Sequence, residues 1–116
     1  MFIALVITTL LLAVMAATSA AKKLQKDEQV LTVIGGTVGV PQQYFPMLAT
    51  LELAGAAGIL LGLRLAPLGI AAAGLAAYFL GALAGHLRVG DTKGATMPLP
   101  LLALAIAVLA LRILTL

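Results

Sequence analysis

Apolar residues run through this chain in four long blocks, parted by short polar stretches. Met1 to Ala21 holds no charged side chain, and Tyr44 to Leu63 holds one acid, Glu52. Leu68 to Leu87 carries only His86 near its end, and Met97 to Leu114 only Arg112. None of the four alternates with period two, so each reads as a helix. At 1.5 Å per residue the first would reach about 31 Å, enough to cross a hydrocarbon core of ~30 Å. The pattern predicts membrane spans at about 1–21, 45–63, 67–87 and 97–114.

A secretory signal is the competing reading of the first block, because Thr18-Ser19-Ala20-Ala21 offers the small residues of a cleavage site. No Lys or Arg precedes the apolar run, and the run is longer than a signal core of ~7–15 residues. A retained helix is therefore expected. Between the first two spans, Leu24, Leu31 and Ile34 are spaced by seven and three, which predicts an amphipathic helix at the membrane surface over about 23–34, stopped by Gly35-Gly36. The alternative is a plain loop. Gly39-Val40-Pro41 turns the chain into the second span, where Pro46 sits harmlessly in the first turn. The turn at Arg64 to Pro67 is so short that the second and third spans must be antiparallel neighbours. Gly90, Asp91 and Gly94 mark another turn before the fourth span. Two antiparallel pairs predict an all-α fold, a transmembrane four-helix bundle forming a single membrane domain.

Composition excludes the soluble alternative. With 63% hydrophobic and 9% charged residues in 116, the chain lacks the polar surface a water-soluble domain needs, and its environment is a lipid bilayer. The net charge of +3 is spread over segment ends, with no basic patch for nucleic acid. Cysteine is absent, which removes thiolate metal sites and disulfides, and the single His removes bis-histidine haem ligation within one copy. Neither metal nor cofactor is expected. Of the seven Lys and Arg, Lys22, Lys23, Lys26, Arg88 and Lys93 follow the first and third spans, against Arg64 and Arg112 on the other side. The positive-inside rule makes the first group cytoplasmic and both termini extracytoplasmic.

Glu52 carries the chemistry. A carboxylate near the centre of a membrane helix is unfavourable by roughly 2.5–3.5 kcal/mol on translocon-derived scales, so it faces a bundle interior or a wet cavity and has a partner. Lys23, ending the first span, is the expected partner, its long stem reaching back into the bundle. His86 and Arg88 are expected to complete a polar region toward the cytoplasm, with Tyr78 on the same face as His86. Each also has an ordinary role open to it: Glu52 as a structural ion pair, His86 as an interface residue, Arg88 as a headgroup or loop anchor, Tyr78 as packing. Arg64 and Arg112 read as interface anchors. Gly55, Gly58, Gly62, Gly81 and Gly85 read as close helix packing, since no phosphate-cradling glycine motif occurs. An enzyme would need an acid/base pair, for which Glu52 with His86 is the one candidate. No nucleophile and base accompany it, so no catalytic residue is assigned.

The order Ala21-Lys22-Lys23-Leu24, Gly39-Val40-Pro41, Leu51-Glu52-Leu53-Ala54-Gly55, Gly62-Leu63-Arg64, Ala84-Gly85-His86-Leu87-Arg88 and Gly90-Asp91 resembles the DoxX-like family of small four-helix membrane proteins. The resemblance covers nearly the whole chain. It implies a multi-pass bundle of the bacterial inner membrane. The family takes its name from a small subunit associated with a thiosulfate-quinone oxidoreductase, and some members are linked to redox-stress complexes or membrane assembly. The function expected is that of a non-enzymatic accessory or assembly component, partnered by a larger membrane protein or by a second copy. The alternative is an intramembrane binder or carrier of a small ligand, lipid or quinone at Glu52. A glutamate sealed by Lys23 favours the first, and an open cavity at Glu52 favours the second.

Overall fold

The computed structural model describes residues 1–25 and 31–115. Four helices dominate it: α1 Phe2–Leu24, α2 Phe45–Leu61, α3 Ala71–Arg88 and α4 Pro98–Leu114. There is no strand among the described residues. Each helix packs chiefly on its neighbours in a ring, α1 along α2 and α3 along α4, with α1 against α4 and α2 against α3 closing it. The result is a four-helix bundle of 42 × 25 × 17 Å.

Local chemistry moves several boundaries. The first helix runs on to Leu24, past Ala21, and so brings Lys22 and Lys23 into its last turn, where ammonium groups face the negative end of the helix dipole. The second stops at Leu61, because Gly62 caps it and a 3₁₀ turn over Ala66–Ile70 leads into α3. A second 3₁₀ turn, Gly94–Thr96, precedes α4, and Pro98 stands in the first helical turn, where its missing N–H leaves nothing unpaired. The surface helix expected over about 23–34 is not found in that form. Lys23 and Leu24 belong to α1, residues 26–30 lie outside the described residues, and Leu31–Val38 winds as a π-helix. Gly39, with φ of 86°, then makes a left-handed turn that a side chain would resist.

Inward stripes follow helical spacing. On α2 they are Phe45, Ala49, Glu52, Ala56 and Ile59, so Glu52 occupies a core position. On α1 the buried stripe runs Leu5, Thr9, Leu12, Ala13, Ala16, Ala20 and ends at Lys23. Both charged residues are thus drawn inward by register. The outer faces carry Ile3, Ile7, Leu51, Leu80, Ile106 and Ile113, all more than half exposed. Such apolar surface suits lipid. Three stretches, Phe2–Leu24, Ala66–Arg88 and Gly94–Leu114, are long and apolar enough to span a membrane. The α2 helix of 17 residues lies at the short end of the spanning range, about 26 Å.

Glycines close one pole of the bundle. A Cβ on Gly58 would stand 2.5 Å from the Ala71 Cβ, and one on Gly62 would stand 2.6 Å from the Gly69 backbone nitrogen. Gly55 likewise makes room for Leu75, and Gly85 lies against Val38. Gly81 differs from these: among the described residues nothing lies within 4 Å of where its Cβ would be, so no described helix of this chain meets it there.

Candidate functional site

Glu52 has no exposed surface, and its Oε1 accepts two hydrogen bonds. Lys23 Nζ donates at 2.6 Å and the Tyr78 hydroxyl at 3.0 Å. The lysine stem points back along α1, the direction side chains take on a helix, so that Nζ also donates to Ser19 Oγ at 2.8 Å. Its ammonium lies 5.8 Å from the centre of the Tyr78 ring, within reach of the ring's negative face. Three helices therefore meet at one carboxylate: α1 through Lys23, α2 through Glu52, α3 through Tyr78. The other oxygen, Oε2, is buried with no partner among the described residues.

His86 and Arg88 do not join this node. His86 is buried at the last turn of α3, and its Nδ1 lies 2.9 Å from Asp91 Oδ2. Gly90, with φ of 75°, folds the chain back so that the Asp91 N–H donates to the His86 carbonyl, while Asp91 Oδ1 accepts the Gly94 N–H at 2.9 Å. The Gly94 N–H first, and then His86, hold the Asp91 carboxyl below its ordinary value. Arg88 reaches sideways, donating to the Val38 carbonyl at 3.3 Å. An acid/base pair of Glu52 and His86 is thus not assembled, because each has been taken by another partner.

A cleft of about 700 Å³ lies beside the node. Lys22, Lys23, Tyr78, His86 and Arg88 supply its polar groups, and Val14, Met15, Leu48, Phe79 and Leu101 supply apolar wall. Glu52 is not part of the wall; Lys23 and Tyr78 stand between it and the cleft. The cleft exists because the buried stripe of α3, Ala72, Leu75 and Phe79, lapses before His86, where Gly81, Ala82 and Gly85 offer too little bulk to fill the space. That volume is in the range of sites for small organic ligands. No group of three or more His, Cys, Asp or Glu stands together among the described residues.

Two features escape a reading of the sequence. Ser19 adds a hydroxyl to Lys23, a contact that follows from its place four residues earlier on the same face. Arg112, expected at the interface, turns inward at the opposite pole instead. It donates to the Gly62 carbonyl at 2.8 Å and to Thr115 Oγ1 at 3.0 Å, with its stem over Gly69. The signal available was a basic residue in an apolar helix whose end meets a glycine-rich turn.

The family model of the DoxX-like family matches residues 6–108, most of the chain. No curated protein and no solved structure matches it. The chain belongs to the DoxX-like family and is a multi-pass membrane protein.

Proposed function

We propose that this member of the DoxX-like family binds a small apolar or amphipathic ligand, of the lipid or quinone class, in the cleft between α1, α3 and α4, without catalysing a reaction. The observation that carries this reading is that Lys23 and Tyr78 each have two sides: one contacts Glu52, the other lines the cleft. Glu52 is then a positioning residue, fixing a cation and a phenol at a ligand's edge. A lone lysine on a helix end would extend toward water, whereas the buried carboxylate holds it inward. Extraction of the full chain in mild detergent, with mass spectrometry of bound small molecules, tests the proposal. A stoichiometric ligand that is lost in Gly81→Phe, which fills the cleft, is the expected result. No ligand, or one retained equally by the variant, overturns it.

The sealing of Glu52 favours a second reading, in which the node is a structural keystone and the bundle serves as an accessory or assembly component of a larger membrane complex. The same extraction separates the two, because that reading requires a stoichiometric partner protein in place of the small ligand. In either case we place the pole bearing Lys22, Lys23, Arg88 and Lys93 in the cytoplasm, with the protein in the bacterial inner membrane. That orientation rests on the count of Lys and Arg at the two poles.

A further inference from the structure

Among the described residues, the charges around the cleft do not balance. Among the described residues there are two carboxylates, and both are engaged: Glu52 takes Lys23, and Asp91 takes His86. Lys22 and Arg88 also line the cleft, and among the described residues neither faces a carboxylate. Both stand in the last turns of their helices, α1 and α3, at one pole of the bundle. The wall away from them, toward Val14 and Phe79, is apolar. The cleft therefore has a cationic mouth and an apolar interior, with the mouth at the depth where lipid headgroups lie. A neutral ligand would leave the two cations without a counter-charge among the described residues.

We infer that the cleft takes an anionic lipid of the bilayer, its headgroup on Lys22 and Arg88 and an acyl chain along the apolar wall past Gly81. This rests on the ligand-binding reading above and adds the charge and the polarity of the ligand. Arg88 is suited to the role: its guanidinium already donates to the Val38 carbonyl at one nitrogen and has further N–H groups for a phosphate oxygen. Lys22, exposed and one residue before the inward-facing Lys23, adds a second cation to the lining of the same cleft. Lys23 itself is neutralised by Glu52, and the Tyr78 proton is committed to the same carboxylate, so these two shape the deeper wall. Each Lys or Arg near anionic headgroups contributes enough that two together favour an anionic over a zwitterionic lipid by roughly thirtyfold.

The test uses the full chain, exchanged into detergent with equimolar phosphatidylglycerol and phosphatidylcholine, and native mass spectrometry of the lipid retained. Wild type, Lys22→Gln/Arg88→Gln and Gly81→Phe are compared, with Ala77→Phe as a second blocking variant and gel filtration to show that each is folded. We expect wild type to retain one phosphatidylglycerol in preference to phosphatidylcholine, the double variant to lose the preference while still binding, and the blocked variants to retain neither. Binding that Gly81→Phe abolishes but that shows no preference for the anionic lipid would overturn this inference and leave the cleft as a ligand site. An anionic preference unchanged in Lys22→Gln/Arg88→Gln would also overturn it. Lipid retention unaffected by both blocking variants would overturn the inference and the ligand-binding reading together.

Discussion

Removing Lys23 should destabilise this bundle more than removing Glu52, and removing both should do less harm than the two single changes combined. Two unit charges 2.6 Å apart attract by roughly 6 kcal/mol at an effective dielectric constant of 20, and much of that offsets the loss of water around two buried groups. The pair as a whole is therefore worth little. Each partner, once alone, is not: an uncompensated buried charge costs about 3–5 kcal/mol. The structure makes the two losses unequal. Lys23 ends α1 and is 7% exposed, so without Glu52 its stem can swing outward to the interface. Glu52 is 0% exposed in mid-helix, with only the Tyr78 hydroxyl left to it. Lys23→Met should then lie near the upper end of that range, and Glu52→Gln near or below the lower end. The double variant should then cost less than Lys23→Met alone, which makes the favourable coupling at least about 3 kcal/mol. Reversible unfolding of the four proteins in mixed micelles measures this cycle. Strictly additive effects, or a larger loss for Glu52→Gln than for Lys23→Met, would refute the reasoning.

Three further outcomes follow from other parts of the molecule. Gly62→Ala should destabilise by about 1–3 kcal/mol, since its Cβ would meet the Gly69 backbone, whereas Gly74→Ala, with nothing within 4 Å among the described residues, should be neutral or stabilising by up to ~1 kcal/mol; melting temperatures in detergent compare them. The Asp91 carboxyl is held below its ordinary value of 3.8, so its contribution to stability is present above that pH and is lost as the pH falls through the lowered folded value; unfolding measured from pH 6 to pH 2 should show an acid-side loss that Asp91→Asn lacks. A cysteine at Thr115 should react with an impermeant thiol reagent applied to intact cells, because the pole bearing Arg64 and Arg112 is expected outside; labelling only after the cells are opened would reverse the orientation.

The helices were legible because apolar runs of spanning length admit few other structures, and Glu52 stood out because nothing else in those runs is acidic. Its contact with Lys23 could be reasoned from reach and from the helix ends sharing one side of the membrane. Tyr78 was on the right face but could not be given its partner, since α3 must first be rotated by packing that Leu75 and Phe79 decide. The partner of His86 was missed for a different reason. Its nearest acid, Asp91, is brought in by a left-handed turn at Gly90, a short-range effect that a search for long-range partners overlooks. Gly81 shows the same limit from the other side: a glycine that lets a helix approach and one that leaves a space empty look alike in a sequence.

The two poles of the bundle are built by different physics, and the cleft lies where it does for that reason. At the Arg112 pole, backbones come together: Gly62 meets Gly69, Gly58 meets Ala71, and the guanidinium binds the Gly62 carbonyl, which gains from a cation at the end of α2. Little side-chain volume is needed there. At the Lys23 pole, the helices are joined at side-chain length, through a lysine stem, a glutamate stem and a tyrosine ring. Such a joint holds α1, α2 and α3 in register, and between Phe79 and His86 α3 offers Gly81, Ala82 and Gly85 toward the gap. An apolar residue in place of either ion could pack the pole more tightly and would tend to close the space. A buried ion pair of little net worth is thus compatible with a bundle that must keep a cleft beside it open.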